Sequence, residues 1–485
     1  MFPFENIIHV DKDSKTAVYK QIAFSLISAI RNGTLKAGAP LPGSRELAKA
    51  VGVHRKTVIA AYEELNAQDW ITIIPRKHVL VSERIPLLAP QKWNAPAVST
   101  PYGNKLLLPF KRVEEIIKEC DEPTLSELII DDGHPDVRLS PIDELLKTYR
   151  SYTSKKHSIK NAHIGAAQGT VKLREELAHY LAETRGLNVS GQNLLITHGA
   201  QMSIYLAAQL LLDKDNHIVV GKPNYPVANQ TFAETGANLL EVNVDENGLD
   251  TDALEALCQK KKINAVYVIP HHHYPTTVTL SVERRMKLLE LSVQHSFVLI
   301  EDDYDYDYHY TSSPYLPLAS SGHNGNVLYI GSFSKILDPS LRIGFMVAPQ
   351  NFIEQCVALR KLIDVGGDGY MQNALAALIK NGELKRHLKK AKKIYYQRRD
   401  FLNALLKDKL GAYVYFTLPS GGMAIWVKVL PEYPVGRLEE NPRLQMLRAD
   451  REQNAFRFGF ASMNESELEQ AVSVLQYSFE SMHKT

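Results

Sequence analysis

Apolar positions recur at helical spacing three times within residues 16–83. In TAVYKQIAFSLISAIRNG, Tyr19, Ile22, Ala23, Leu26 and Ile30 share one face, and Gly33 stops the helix. LPGSRELAKAVG predicts a second, short helix with Ser44 as its N-cap and Gly52 at its end. VHRKTVIAAYEELNAQDW predicts a third, whose apolar face is Val58, Ala61, Tyr62 and Leu65. A short pair of strands follows, ITIIP and VLVS, with Arg76 and Lys77 near the turn.

The stretch RIPLLAPQKWNAPAVSTPYGNKLLLP sustains no period and carries five prolines, which marks an extended, partly stiff linker. From about residue 110 the pattern is α/β. Near-continuous apolar runs (NLLIT, HIVVG, AVYVI, FVLIE, VLYIG and GFMVA) are separated in several places by helical stretches. Strands buried on both faces predict a mostly parallel sheet. After about residue 350 the pattern turns helical, then strands return in GGMAIWVKV and FRFGFA, predicting a smaller terminal α+β lobe. The predicted organisation is 1–83 as a winged helix-turn-helix, 84–109 as a linker and 110–485 as a large α/β domain.

Composition narrows the partners. The 485 residues suffice for two or three domains, and 45% hydrophobic content is ordinary for globular protein. A net charge of +2 gives no global signal for polyanions, so any nucleic-acid contact must come from a local basic patch. Cys120, Cys258 and Cys356 are far apart and read as reduced, buried thiols of a cytosolic protein. MFPFENIIHVDKDSK has no basic stretch followed by an apolar one, so no signal peptide is expected. No segment is long and apolar enough to span a bilayer, and the expected location is the cytoplasm. His271, His272 and His273 are consecutive, and neighbours on an extended chain point in alternating directions. No metal site is expected there; one or two of them are expected to line a pocket.

Helix, turn and second helix at these lengths suit a helix-turn-helix with the strand pair as its wing. His54, Arg55, Lys56 and Thr57 then fall at the start of the recognition helix, where side chains reach base edges and phosphates. Arg45 opens the preceding helix, a position for a phosphate contact, and Arg76 and Lys77 reach the backbone from the wing. Taken alone, such residues are an ordinary solvated face. The whole stretch LPGSRELAKAVGVHRKTVIAAYEELNAQDWI, however, resembles the winged helix of the GntR family over roughly 50 residues. His54 stands where that family usually has serine, and PRKHVLV replaces its usual Gly-x-Gly-Thr wing turn.

In the larger half, Lys335 follows the strand VLYIGS, at the rim where α/β folds place ligands. Asp302, with Asp303 as the second choice, ends the strand FVLI and suits a pyridinium nitrogen; Tyr304 suits a phenolic oxygen. Gly199 lets the chain bend so that the amides of Ala200 and Gln201 face a phosphate from a helix N-terminus. Tyr225 can stack on a planar ring, and Ser332 and Arg342 flank Lys335 as phosphate partners. Together these residues predict a pyridoxal phosphate pocket with Lys335 as the Schiff-base lysine.

Residues 110–480 resemble fold-type-I aminotransferases through GTVKLREELAHYLAETRG, ITHGAQMSIYLAA, PNYP, HHYPTT, IEDDYD, GSFSKILDPSLRIGFM and FRFGFA. The resemblance implies those same roles for Lys335, Asp302, Tyr225 and Arg342, and makes Arg457 the arginine that grips a ligand α-carboxylate. A winged helix joined to such a domain resembles the MocR family. That resemblance implies a transcription regulator that binds operator DNA and pyridoxal phosphate and senses a small amine, an amino acid or pyridoxal phosphate itself. It also implies a homodimer, with the DNA-binding domain of one chain packed on the large domain of the other. Three departures stand out: Ile164 occupies a usual tyrosine position, Thr277 a usual glycine, and Tyr274 or His273 a usual asparagine. They predict at most residual transamination; the alternative is an active aminotransferase that carries a DNA-binding domain.

Overall fold

The computed structural model describes residues 3–14, 16–74, 77–83, 128–154, 167–310, 316–439, 441 and 443–482. The predicted linker 84–109, Arg76, Cys120 and Ile164 lie outside the described residues. The chain forms two compact units, Met1–Arg112 and Val113–Thr485.

The first unit contains α1 (Val18–Arg31), β1 (Pro40–Leu41), α2 (Ser44–Val51), α3 (Arg55–Ala67), β2 (Ile71–Ile74) and β3 (His78–Val81). The strands order as β1-β3-β2. Ile22, Ala23, Leu26 and Ile30 of α1 pack with Val58, Ala61, Tyr62 and Leu65 of α3 in one core, and Tyr19 lies at its edge. Ser44 is not an N-cap: α2 is capped by Gly43 and Ser44 is its first residue. Gly52 ends α2 as predicted, at φ 69, a left-handed conformation that glycine adopts at little cost.

The second unit is built on an eight-stranded sheet, β5-β12-β11-β10-β9-β6-β7-β8. Its strands are β5 (Leu194–Thr197), β6 (His217–Lys222), β7 (Asn238–Asp245), β8 (Gly248–Leu249), β9 (Ala265–Val268), β10 (Val298–Asp303), β11 (Val327–Ser332) and β12 (Gly344–Val347). β12 runs against both neighbours and β8 against β7; the other pairings, β6 with β7 and β9, and β10 with β9 and β11, are parallel. All six apolar runs read from the sequence are strands of this sheet. The polar-rich β7 is an addition: its run NLLEVNVD alternates and is only partly buried, as suits a strand near the sheet's edge.

A smaller lobe carries the antiparallel sheet β13-β14-β17-β16, with β13 (Val414–Phe416), β14 (Ala424–Val429), β16 (Ala449–Asp450) and β17 (Ala455–Gly459). β4 (Leu128–Ile130) pairs with β15 (Leu444–Met446), so the chain just after the undescribed stretch joins the C-terminal lobe. The long helix Glu383–Leu410 buries Leu384, His387, Ala391, Tyr395, Arg399, Leu402, Leu406 and Leu410, a three–four spacing that gives one continuous inward stripe.

Cys356 is buried and Cys258 only half-buried; neither is in a disulfide. Among the described residues no helix is long and apolar enough to cross a membrane.

Candidate functional site

In the first unit the recognition-helix candidates stand together at the start of α3. Arg45, His54, Arg55, Lys56 and Lys77 are exposed, and Thr57 is half-buried. His54 replaces serine without losing the cap: its Nδ1 accepts a hydrogen bond from the Lys56 backbone amide at 3.2 Å. That bond requires the tautomer with the proton on Nε2, which leaves an N–H donor on the exposed ring. Arg55 Nε donates to Ser44 Oγ at 3.3 Å, which ties α3 to the first residue of α2. The serine read as a cap therefore orients an arginine.

In the second unit a cavity of about 250 Å³ opens at the C-terminal ends of the parallel strands. Its walls come from distant stretches of chain: Ala200 and Gln201, Tyr225, Asp302 and Tyr304, then Ser332, Lys335 and Arg342. Thus eight of the nine residues read from sequence as cofactor-binding line one cavity. The ninth, Gly199, caps the helix Ala200–Leu211 at φ 84. A Cβ on it would meet Arg342 Nη2 at 2.6 Å, so glycine here both permits the bend and makes room for the guanidinium.

Strand alternation separates the two carboxylates of the sequence reading. Asp302 faces the cavity, where its Oδ2 accepts a hydrogen bond from Tyr267 OH at 2.6 Å. Asp303 faces away and is engaged by His271 Nδ1 at 3.2 Å and Tyr329 OH at 2.8 Å. Burial raises the Asp302 carboxyl to about 7, against the pull of the Tyr267 hydrogen bond. Its Oδ1 is buried with no hydrogen-bond partner.

Three further buried polar atoms without a partner belong to residues lining the same cavity: Asp132 Oδ1, Gln201 Oε1 and Ser334 Oγ. Leaving such atoms unpaired is costly, so their concentration here marks a surface made for a polar ligand.

The expectation for the histidines is corrected: none of the three is among the residues that line the cavity. His271 and His272 turn to Asp303 and Asp305, and His273 bonds Thr276 Oγ1. Burial lowers His273 to about 3, keeping it neutral. Tyr274 lines the cavity in their place, edge-on to Tyr225 with ring centroids 5.4 Å apart. Thr277, at the usual glycine, has φ 61, the conformation that makes glycine usual there.

Lys335 Nζ donates to the Gly133 carbonyl at 2.8 Å. Tyr304 OH donates to the His272 carbonyl and accepts from Arg457 Nη2, each at 2.8 Å. Arg457 is 1% exposed and lies behind the wall. Its Nε and Nη1 donate to the backbone oxygens of Asp132 and Pro275.

Asp132, His134 and Ser334, which no local sequence signal singles out, also line the cavity. The first two sit in DDGHPD, where a glycine and a proline bracket a histidine after two acids. That run was a recognisable turn, but its place beside Lys335 depends on β4 joining the far C-terminal lobe.

A winged helix in one unit and, in the other, a strand-end cavity holding a lysine define a DNA-binding protein with an aminotransferase-like domain. Residues 137–475 match the aminotransferase class I and II family, and residues 18–81 match the gntR family of bacterial regulatory proteins. The uncharacterized HTH-type transcriptional regulator YdfD of Bacillus subtilis is 29% identical over 87% of this chain and 86% of its own length. The probable rhizopine catabolism regulatory protein MocR of Rhizobium meliloti is 24% identical over 86% of this chain and 82% of its own. Among solved structures, the multiple substrate aminotransferase of Thermococcus profundus superposes with a TM-score of 0.68 at 26% identity, covering 78% of this chain and 96% of that one. The chain belongs to the aminotransferase class I and II family, whose fold-type-I members typically use pyridoxal phosphate. With its GntR-type winged helix, it is a transcription regulator of the MocR type.

Proposed function

We propose that this regulator binds pyridoxal phosphate through Lys335 and operator DNA through the start of α3, and that a small amine, an amino acid or pyridoxal phosphate itself changes its DNA affinity. The carrying observation is the cavity: residues from separate strand and helix ends converge on Lys335, and four of them bring buried polar atoms that lack partners. Bound there, pyridoxal phosphate supplies an aldehyde for the lysine amine and an electron-withdrawing ring. Asp302 Oδ1 would take the ring N–H, which returns the carboxyl to its charged form. Tyr225 would stack on the ring and Tyr304 would approach its phenolic oxygen. The amides of Ala200 and Gln201, behind the Gly199 bend, would hold the phosphate with Ser332 and Arg342. Arg457 would hold the effector's carboxylate, if the effector has one. We place the protein in the cytoplasm, as a homodimer.

An absorption spectrum with and without pyridoxal phosphate tests this reading. A visible-edge band that borohydride fixes on Lys335 supports it, and amine titrations followed by DNA binding identify the effector. DNA binding without such a band overturns it. Sustained turnover with amino acids would favour an enzyme instead.

Asp302→Asn keeps an oxygen for Tyr267 but removes the charge. Cofactor affinity should fall by about tenfold or more, the scale of a lost hydrogen bond to a charged group, read by equilibrium dialysis.

On the DNA side, Arg55→Ala should cost about 1–3 kcal/mol of operator binding and relax base preference at one position. Lys77→Ala should weaken all sequences alike and flatten the salt dependence. Mobility shifts on operator and scrambled duplexes at several salt concentrations separate the two.

A further inference from the structure

Asp132 puts a carboxylate on the side of the cavity where Arg457 lies. Its backbone oxygen accepts Arg457 Nε at 2.6 Å. Its Oδ2 accepts Tyr274 OH at 3.0 Å, and the Tyr274 ring lies against the Arg457 guanidinium at 4.8 Å. The carbonyl of the next residue, Gly133, accepts Lys335 Nζ. Asp132 therefore occupies the wall between the arginine and the lysine.

The two charges are not equally available. Arg457 is 1% exposed and has three hydrogen bonds to its surroundings, at Asp132, Pro275 and Tyr304. The Asp132 side chain is 24% exposed and lines the cavity; its Oδ1 is buried, with His134 Nε2 3.6 Å away, and has no hydrogen-bond partner. Burial alone would raise this carboxyl, but the charges of Lys335, His134 and Arg457 hold it at about 2, so it is ionised at neutral pH. A ligand carboxylate approaching from the cavity meets this fixed negative charge before it meets the arginine; a ligand cation is attracted to it.

We propose that the effector is a small amine whose second polar group is cationic, and that Asp132 is the specificity-determining residue that receives it. This rests on the reading that Lys335 holds pyridoxal phosphate. One amino group would engage the Lys335 side of the cavity and the other would pair with Asp132 Oδ1, displacing the His134 ring. Arg457 would then act chiefly as a support, holding the Asp132 backbone and Tyr304 in place.

Putrescine, butylamine and γ-aminobutyrate present the same short chain ending in an ammonium, a methyl and a carboxylate. Each is titrated into the full-length holoprotein, with the cofactor band as the binding readout and operator affinity as the second. The wild type should bind putrescine about tenfold or more tighter than butylamine, with γ-aminobutyrate weakest. Asp132→Asn keeps an oxygen for Tyr274 and should compress the putrescine-to-butylamine ratio toward one. The ratio cancels any change in the cofactor itself. Equal or tighter binding of γ-aminobutyrate by the wild type, or an unchanged ratio in the variant, overturns the proposal. A cofactor band fixed by borohydride on Lys335 together with no putrescine preference would sink this inference alone; no fixed cofactor would sink the function reading and this inference with it.

Discussion

Lys335→Ala is expected to abolish borohydride-stable incorporation of pyridoxal phosphate, from near stoichiometric to none, and with it the amine-dependent change in DNA affinity. The lysine comes off the turn after β11 and reaches across to the Gly133 carbonyl at 2.8 Å. Among the described residues that line the cavity it is the one primary amine, so no neighbour can take over the covalent bond. The fold should survive. The lost hydrogen bond at Gly133, donated by a charged group, costs about 1.5–3 kcal/mol, less than the stability of a typical domain. The Lys335 charge also heads the influences that lower the Asp132 carboxyl, so its removal should let that carboxyl rise. Mass spectrometry of the reduced protein reads the first effect, and mobility shifts with and without amine read the second. A variant that still switched normally with ligand would separate sensing from the covalent bond and refute the proposed coupling.

Gly344→Ala should damage stability and cofactor binding together, by a different route. Gly344 begins β12 and lies directly behind the bend at Gly199. An added Cβ would fall 2.5 Å from the Gly199 carbonyl carbon, 2.7 Å from its Cα and 2.9 Å from the Ala200 nitrogen. All three are backbone atoms, so no side-chain rotation relieves the clash. The pairing of Gly344 with Thr197 on β5 and Ser332 on β11 holds it from both sides. Overpacking of this kind costs about 1–3 kcal/mol, and the easiest relief is to push the start of the helix Ala200–Leu211 outward. That displaces the two amides proposed for the phosphate. Thermal melting should show the loss of stability. The cofactor dissociation constant, or the phosphate affinity of the cofactor-free protein, should rise by about tenfold or more. Gly199→Ala is the useful comparison: its close contact is the Arg342 side chain, which can move, and its strain comes from φ 84. It should impair the phosphate site through Arg342 while disturbing β12 less.

Local rules were enough for much of the site. Gly199 before an apolar helix, Tyr225 between prolines, Asp302 at a strand end and Lys335 after a strand each follow from what a strand or helix terminus can do. The errors have local causes. Ser44 looks like an N-cap by composition, but the backbone enters α2 one residue earlier, and the serine is used by Arg55. The three histidines follow a strand that ends at the cavity, yet the turn with positive φ at His272 and Thr277 carries their rings away and leaves Tyr274 facing in. The choice between Asp302 and Asp303 needed only the known alternation of a strand, once the cavity showed which face was which.

By itself the sequence determined the helices of the first unit, the central strands of the large sheet, the two-part architecture and the residues at strand ends, because apolar periodicity, caps and turn glycines are short-range signals. The tertiary structure alone decided the other wall of the cavity. Asp132 and His134 reach Lys335 because β4 pairs in parallel with β15, more than 300 residues away in sequence. It likewise decided that Arg457 lies behind Tyr304 and Tyr274 while Asp132 faces inward. Such placements depend on long-range packing and on competition for buried hydrogen bonds, and no local pattern of residues encodes either.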